Sequence, residues 1–276
     1  MNKKQIRDFE IDQLLEAINF RYGYDFRNYA RASLERRLDS RLKKLNLNNI
    51  SEMNPLVLHN REFFEALLRD LSITVTEMFR DPEVFKAIRE SVCPHLRTYP
   101  RINIWHAGCA SGEEVYSMAI ILKEEGLLEK ARIYATDYNN YCLETAQKGI
   151  YPIDKVKLFT ENYQKSGGKS TFTDYYKAKY ESAKIDESLK KNIVFANHNL
   201  IKDGRFAEMH LILCRNALIY FDRKLQNRVL ELFKDSLVPR GFVILGKKET
   251  LRFTSVEEDF EDFRQKERIF RRRLDV

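Results

Sequence analysis

The apolar positions of this chain keep two different rhythms, and the change between them divides it. From the start to about residue 75 they recur at helical spacing. Ile6, Phe9, Ile11, Leu14, Leu15 and Ile18 mark a first helix, and Leu34, Leu38, Leu42 and Leu45 form one stripe on a second. Recurrence every three or four residues is what a helix needs to bury one face. Shorter helices are expected around Ser51–Leu56 and Asn60–Leu71. Beyond residue 100, apolar runs of strand length take over. Ile102–Ala107, Ala131–Thr136, Ile193–Ala196, Glu208–Cys214 and Gly241–Gly246 read as strands, and ERIFRR at Glu267–Arg272 alternates as a last one. Glu113–Lys123, Asn139–Lys148 and Asp222–Ser236 read as helices between them, the second ended by Gly149 and the third capped by Asp222. Strands alternating with helices make an α/β domain around a parallel sheet.

Two stretches interrupt these rhythms. β-Branched Ile73, Thr74, Val75 and Thr76 suggest that Ser72–Asp81 is extended, after which Asp81-Pro82 starts a helix through Glu90. The expected division is a helical domain over 1–75, a linker and first helix over 76–100, and the α/β domain over 101–276. An insertion at about 150–192 breaks the alternation. Its Gly167-Gly168 pair and alternating Phe172–Tyr180 suit a small antiparallel hairpin or three-strand excursion, and Pro239-Arg240-Gly241 suits a turn.

The chemistry gathers at strand ends. In RINIWHAGCASGEEVYS a strand runs into a loop bracketed by Gly108 and Gly112, and a helix follows. Strand, glycine loop, helix is the opening unit of nucleotide-binding α/β domains, where glycine permits sharp turns and close approach of a ligand. The next strand ends on Asp137, where a carboxylate can accept hydrogen bonds from a ribose diol. The loop is GxxxG rather than GxGxxG and lacks a GK[ST] ending, which speaks against a triphosphate cradle. A structural turn beside a solvated aspartate remains the plain alternative. Asn197-His198-Asn199-Leu200 follow one strand, either as an ordinary strand-end turn or as a turn where an amide side chain and a backbone N–H can read an adenine edge. Arg215 and Asn216 close another, with Tyr220 about one helical turn further on. Open α/β sheets bind ligands at these carboxyl ends. Arg80 is either a surface arginine beside Asp81 or a cation lining the site. In the second helix Arg37, Arg41 and Lys44 form a cationic stripe flanked by Arg36 and Lys43, which serves as a solvated face or as a dock for an acidic helix.

Composition narrows the choice. With 43% hydrophobic and 32% charged residues the chain has the makeup of a globular protein with a core. No apolar run approaches membrane-spanning length, and MNKKQIRDFEID lacks the apolar stretch of a signal peptide. Four scattered cysteines without a CxxC pair, and five histidines without ligand spacing, point to a reducing cytoplasm and no metal centre. The net charge of +7 permits an acidic partner without choosing among nucleic acid, membrane surface and protein.

Five motifs in order, TVTEMFRD, GCASGEE, ATD, FANHNL and LILCRNALIYFD, together resemble the CheR-type chemoreceptor methyltransferases from about Asp25 to Arg271. The resemblance implies an S-adenosylmethionine-dependent protein-glutamate O-methyltransferase that leaves S-adenosylhomocysteine. It implies an α/β, Rossmann-like methyltransferase sheet with a reversed late strand and a small β-rich insertion, preceded by a small all-helical N-terminal domain. It places Thr74, Thr76, Arg80, Gly108, Glu114, Asp137, Asn199, Leu200, Arg215 and Asn216 at the donor, although the family more often has asparagine at the place of Thr74. Arg80, Arg215 and Tyr220 would line the reacting centre, and Arg36, Arg37, Arg41 and Lys44 would meet an acidic helix of a methyl-accepting receptor. The family's insertion forms a β-subdomain that in some members binds a receptor peptide by adding a strand, but the one here is longer and more basic than that kind. A monomer without direct membrane insertion is expected. RNALIYF in place of an NPPY motif counts against methylation of a base amino group, and with it against a nucleic-acid substrate. A non-catalytic donor-binding module is the other alternative, opposed by the presence of Arg80, Asp137, Arg215 and Tyr220 together.

Overall fold

A computed structural model describes residues 2–72 and 76–274. The chain forms two compact units, one of residues 1–73 with 219–226 and one of 74–218 with 227–276. The boundary after residue 73 falls near the change of rhythm. The segment 219–226, which the pattern assigns to the larger domain, packs instead with the helices.

The first unit carries α1 (Lys3–Tyr22), α2 (Arg31–Leu45), α3 (Met53–His59) and α4 (Arg61–Leu71). Side chains cap the open N–H groups at two of the starts. Asn2 and Gln5 form a reciprocal capping box on α1, and Asn60 accepts from the Phe63 N–H at 3.0 Å on α4. Gly23 and Asn46 end α1 and α2 in the left-handed conformation. Ile11, Leu14, Leu15, Ile18, Leu34, Leu38 and Leu42 are buried as the stripes demand. Ile6 and Phe9 share the periodicity of α1 but lie exposed, as does Leu45 at the end of α2.

The second unit opens with α5 (Pro82–Ala87), a wide π turn over Ile88–Val92 and α6 (Cys93–Leu96), a longer helical run than the sequence pattern marks. There follow β1 (Ile102–Ala107), α7 (Glu113–Glu124), β2 (Ala131–Asp137), α8 (Asn140–Lys148), β3 (Ile150–Pro152), α9 (Val156–Lys165), β4 (Tyr176–Lys179), β5 (Ser182–Ile185), β6 (Ile193–Asn197) and β7 (Met209–Cys214). The chain ends through α10 (Arg223–Ser236), β8 (Leu237–Leu245), β9 (Phe260–Arg264) and β10 (Ile269–Arg272). The main sheet runs in the order β6-β2-β1-β7-β8-β10-β9. Its first five strands are parallel and β10 is antiparallel to both neighbours. All five parallel strands therefore deliver their carboxyl ends to one edge. Core side chains sit above and below, with Ile104, Ile133, Leu211 and Ile244 inside the sheet and Val115, Met118 and Leu122 of α7 against it.

Three details depart from the sequence pattern. The insertion holds a three-stranded sheet, β3-β5-β4, but its hairpin turns at Tyr180, which takes φ +55°, and not at the glycine pair. Gly167 and Gly168 instead follow α9, where a Cβ on Gly168 would lie 2.2 Å from the Tyr163 ring. Residues 239–241 make a bulge inside β8, with Arg240 at φ +64° and a register shift against β7 between Met209 and Leu211. And β9 forms the far edge from a segment whose charged alternation, FEDFR, gave little apolar signal.

The glycine loop follows from space as well as from backbone freedom. Gly112 takes φ +90°, and a Cβ there would meet the Ala146 Cβ at 2.8 Å. Gly112→Ala is expected to cost at least about 2 kcal/mol, because strain and overpacking add. A urea titration in which this variant matches the parent would show that the loop yields.

Candidate functional site

The carboxyl edge of the main sheet gathers the sequence-selected residues of the second unit. After β1 the loop turns at Gly108, φ +79°, and Ala110, φ +46°. Four contacts fix its shape. The N–H groups of Gly108 and Cys109 both donate to the Thr136 carbonyl at 2.9 Å. The Ala110 N–H donates to Asp137 Oδ2 at 2.9 Å, and the Tyr151 hydroxyl donates to the Ser111 carbonyl at 2.7 Å. Asp137 also accepts from the Asn139 N–H through Oδ1 at 2.9 Å. The Tyr138 N–H is a third backbone donor to this carboxylate, which leaves part of its acceptor capacity for a hydroxyl. Burial raises its pKa, against the pull of the Asn139 and Ala110 N–H groups. These features fit a ribose held beside the loop.

Behind the loop lies an ion-pair cluster. Arg215, at the end of β7, is 2% exposed at its side chain and donates to Asp81 Oδ2 at 2.7 Å and Glu114 Oε2 at 2.9 Å. The same guanidinium donates to the Arg80 carbonyl at 3.0 Å and lies 5.5 Å from the Phe85 ring. His106 Nδ1 sits 3.0 Å from Glu114 Oε1. Lys247 Nζ reaches Asp81 Oδ1 at 2.8 Å and Glu83 Oε1 at 2.6 Å. Burial works to raise the Glu114 pKa, but the His106 hydrogen bond and the Arg215 charge outweigh it and keep the carboxyl below its usual range. The Arg215 side chain is thus turned into the cluster. Its Nε is buried without a hydrogen-bond partner, and the ion pairs give the side chain a positioning role beside the strand end.

Asn216, at φ +62°, is held by its N–H, which donates to Glu249 Oε2 at 3.1 Å. The Gly246 N–H donates to the same oxygen at 2.6 Å, and a Cβ on Gly246 would lie 2.8 Å from the Asn216 nitrogens. Asn199 organises the turn after β6, accepting the Ile201 N–H on its side chain at 2.9 Å, so its amide NH2 is the part open to a ligand. Leu200 is half-buried in the same turn. Arg80 is half-buried between Phe79 and Asp81, which take φ +53° and +58°, and its guanidinium has no ion-pair partner among the described residues. Left-handed backbone at two non-glycine residues is costly and is found where surrounding contacts enforce it. Thr76 precedes this turn, while Thr74 lies outside the described residues.

The helical unit places the remaining candidates. Tyr220 belongs to the segment that packs there, with the Arg37 guanidinium 5.2 Å from its ring and its carbonyl accepting from the Ala30 N–H at 2.7 Å. The expected docking stripe is divided. Arg37 also donates to the Leu71 carbonyl, and Arg41 pairs with Asp70 at 3.0 Å and lies 5.2 Å from the Phe63 ring. These two tie α2 to α4, and the outward cationic face is Arg36 and Lys43 with Lys44. Lys44 itself reaches Asp70 at 3.3 Å. Among the described residues no group of carboxylate, histidine or cysteine side chains could hold a metal ion, and the four cysteines are free and buried. No described helix is long and apolar enough to cross a membrane.

Sequence reasoning missed Asp81, Glu249, Lys247 and His106, each isolated in the chain and given a role only by its neighbours in space. It also missed Glu113, buried at the first turn of α7, whose Oε2 accepts the Ser111 hydroxyl at 2.7 Å. Burial pushes the Glu113 carboxyl up to about 7, against the pull of the Ser111 hydroxyl, the first-turn backbone and Lys155. Because its pKa is raised in the folded state, the native chain holds a proton that the unfolded chain has released. The associated stability is full below the ordinary carboxylate range and is lost as pH rises through about 7. Glu113→Gln should flatten this decline and exceed the parent at pH 8 by on the order of 2–3 kcal/mol. Urea unfolding at pH 5 to 8 checks it, and parallel profiles for the two proteins would refute it.

Comparison with known proteins agrees with this architecture. Residues 74–269 match the CheR methyltransferase, SAM binding domain, and residues 10–72 match the CheR methyltransferase, all-alpha domain. The Cher3 protein of Pseudomonas putida is 47% identical over 272 residues, covering 99% of this chain and 100% of that one. A chemotaxis protein methyltransferase of Vibrio anguillarum is 31% identical over 239 residues, 82% of each chain. Another, of Borreliella burgdorferi, is 29% identical over 265 residues, 88% of each. With both domains matched in order, a glycine loop and acidic strand end that fit the donor, and relatives alike over most of their length, the chain belongs to the S-adenosylmethionine-dependent CheR methyltransferase family.

Proposed function

We propose that this protein esterifies glutamate side chains of a methyl-accepting chemoreceptor or a similar signalling protein in the cytoplasm, acting as a monomer. The observation that carries the reading is Arg80. It is a cation without an ion-pair partner among the described residues, held in a strained turn against a cluster whose other charges are already paired. A free guanidinium there suits an acceptor carboxylate, which it can grip by two parallel hydrogen bonds.

A glutamate carboxylate is already ionised at neutral pH, so attack on a methyl group needs no general base. The bound donor supplies an electrophilic methyl on a sulfonium. What the protein must contribute is alignment and exclusion of water. Asp137 would hold the ribose hydroxyls, and Gly108 would let the backbone approach. The strand end at Arg215 and Asn216, with Asn199 and Leu200, would bound the rest of the donor. Glu114, fixed by Arg215 and His106, stays ionised where the amino group of the donor would come. Thr74, Thr76 and the Tyr220 hydroxyl complete the proposed set. Arg36 and Lys44 would draw in an acidic helix, with Arg37 and Arg41 bracing the face they stand on.

Arg80→Ala should lower turnover about a hundredfold, the scale set by a misaligned reactant, and leave S-adenosylhomocysteine affinity nearly unchanged. Full activity would remove the orienting role. Asp137→Ala should weaken S-adenosylhomocysteine about 10- to 100-fold, the worth of hydrogen bonds to a charged group. Unchanged affinity would speak against the ribose contact. Reaction class is tested with methyl-labelled donor and receptor-bearing membranes. Label on protein released as methanol by mild alkali supports the ester, and alkali-stable label refutes it.

A further inference from the structure

The loop that leaves the carboxyl end of β8 contains the most exposed aromatic side chain of its unit outside the insertion. Phe253 is 84% exposed and takes φ +61°. A bulky side chain seldom adopts left-handed backbone, so the surroundings must enforce it. They do so densely. Leu251 and Val256 are buried on either side and anchor the loop to the body. The Phe253 N–H donates to Glu257 Oε2 at 2.6 Å, and the Thr254 hydroxyl donates to the Leu251 carbonyl at 2.5 Å. From α10, Glu231 accepts the Ser255 hydroxyl at 2.7 Å and Asn227 accepts its N–H at 3.3 Å. The ring is therefore held outward by a fixed scaffold.

Position and charge describe the surroundings of this loop. Leu245 pairs with Cys214, so the loop begins at the same sheet edge as Arg215 and Asn216, and Glu249 joins the two by accepting from both Asn216 and Gly246. Lys248 and Arg252 are exposed along this loop beside Lys247, which pairs with Asp81 and Glu83, and of the exposed Glu257 and Glu258 that follow, Glu257 accepts the Phe253 N–H. An apolar anchor among cations at the donor edge fits an amphipathic acidic helix.

We propose that the 247–253 loop is a docking element for the acidic methyl-accepting helix, with Phe253 its apolar anchor and Lys248 and Arg252 its charge complement. The inference rests on the glutamate-esterifying reading. A pre-ordered aromatic gives contact area at little entropic cost, which is why such residues dominate the affinity of interfaces. The ring would pack on the apolar flank of the helix and present its glutamates to Arg80.

The test uses the full-length protein and the purified cytoplasmic helical hairpin of a methyl-accepting receptor from the same cell. Phe253→Ala should lower kcat/KM for the hairpin about tenfold, through KM, while S-adenosylhomocysteine affinity is unchanged. Phe253→Trp should restore it, and Arg252→Glu should weaken the hairpin in the same way. A photo-crosslinking phenylalanine analogue at position 253 should attach to the glutamate-bearing stretch of the hairpin. Parent-like kinetics in Phe253→Ala, or crosslinks confined to other parts of the hairpin, would overturn the docking role. Crosslinks at the expected stretch with only alkali-stable methylation would overturn the ester reading and leave the docking role standing.

Discussion

The guanidinium of Arg215 is the interaction on which the donor edge depends. It joins three chain segments far apart in sequence: the end of β7, the first turn of α7 through Glu114, and the turn after Phe79 through Asp81 and the Arg80 carbonyl. Removing one partner from a buried pair leaves an uncompensated charge, which costs far more than the pair itself contributes. The cluster is therefore a device for position rather than for net stability. It fixes the strained backbone around Arg80 and holds Glu114 ionised, and it brings the cation and the carboxylate to the same sheet edge with their geometry set in advance.

The loop beside it is governed by a second economy of contacts. Asp137 shapes the loop through Ala110 and the start of α8 through Tyr138 and Asn139, and keeps part of its acceptor capacity for a ligand. One carboxylate thus supports the scaffold and offers a ligand group. Glu113, on the neighbouring helix turn, is buried deeply enough that the Ser111 hydroxyl, the first-turn backbone and Lys155 do not offset the loss of water, and it holds its proton toward neutrality. The same few residues supply both the rigidity of the edge and its sensitivity to pH.

Much of the fold was legible because periodicity reports burial directly. The stripes of α1 and α2, the parallel strands and the caps at Gly149 and Asp222 lie where the pattern puts them. Periodicity fails where a face is half-buried or short. Ile6 and Phe9 keep the rhythm of α1 without a neighbour to cover them, and β9 is a charged edge strand with little to hide. The glycine pair at 167 and 168 looked like a hairpin turn, yet Gly168 makes room for the Tyr163 ring after a helix. A glycine states that something is close or bent, but not which.

The sequence by itself determined the class of fold, the family and the identity of the groups at each strand end, since these follow from local pattern and from motifs in order. Only the tertiary structure decided what those groups do to one another. It turned Arg215 inward between Asp81 and Glu114, drew Arg37 and Arg41 into the seam between α2 and α4, and packed 219–226 with the helices. It also left Arg80 without a counter-ion among the described residues and Phe253 held outward. The reason is physical. A charge takes its role from the charges within a few ångströms of it, and in a folded chain those come from residues whose separation in sequence carries no trace of the contact.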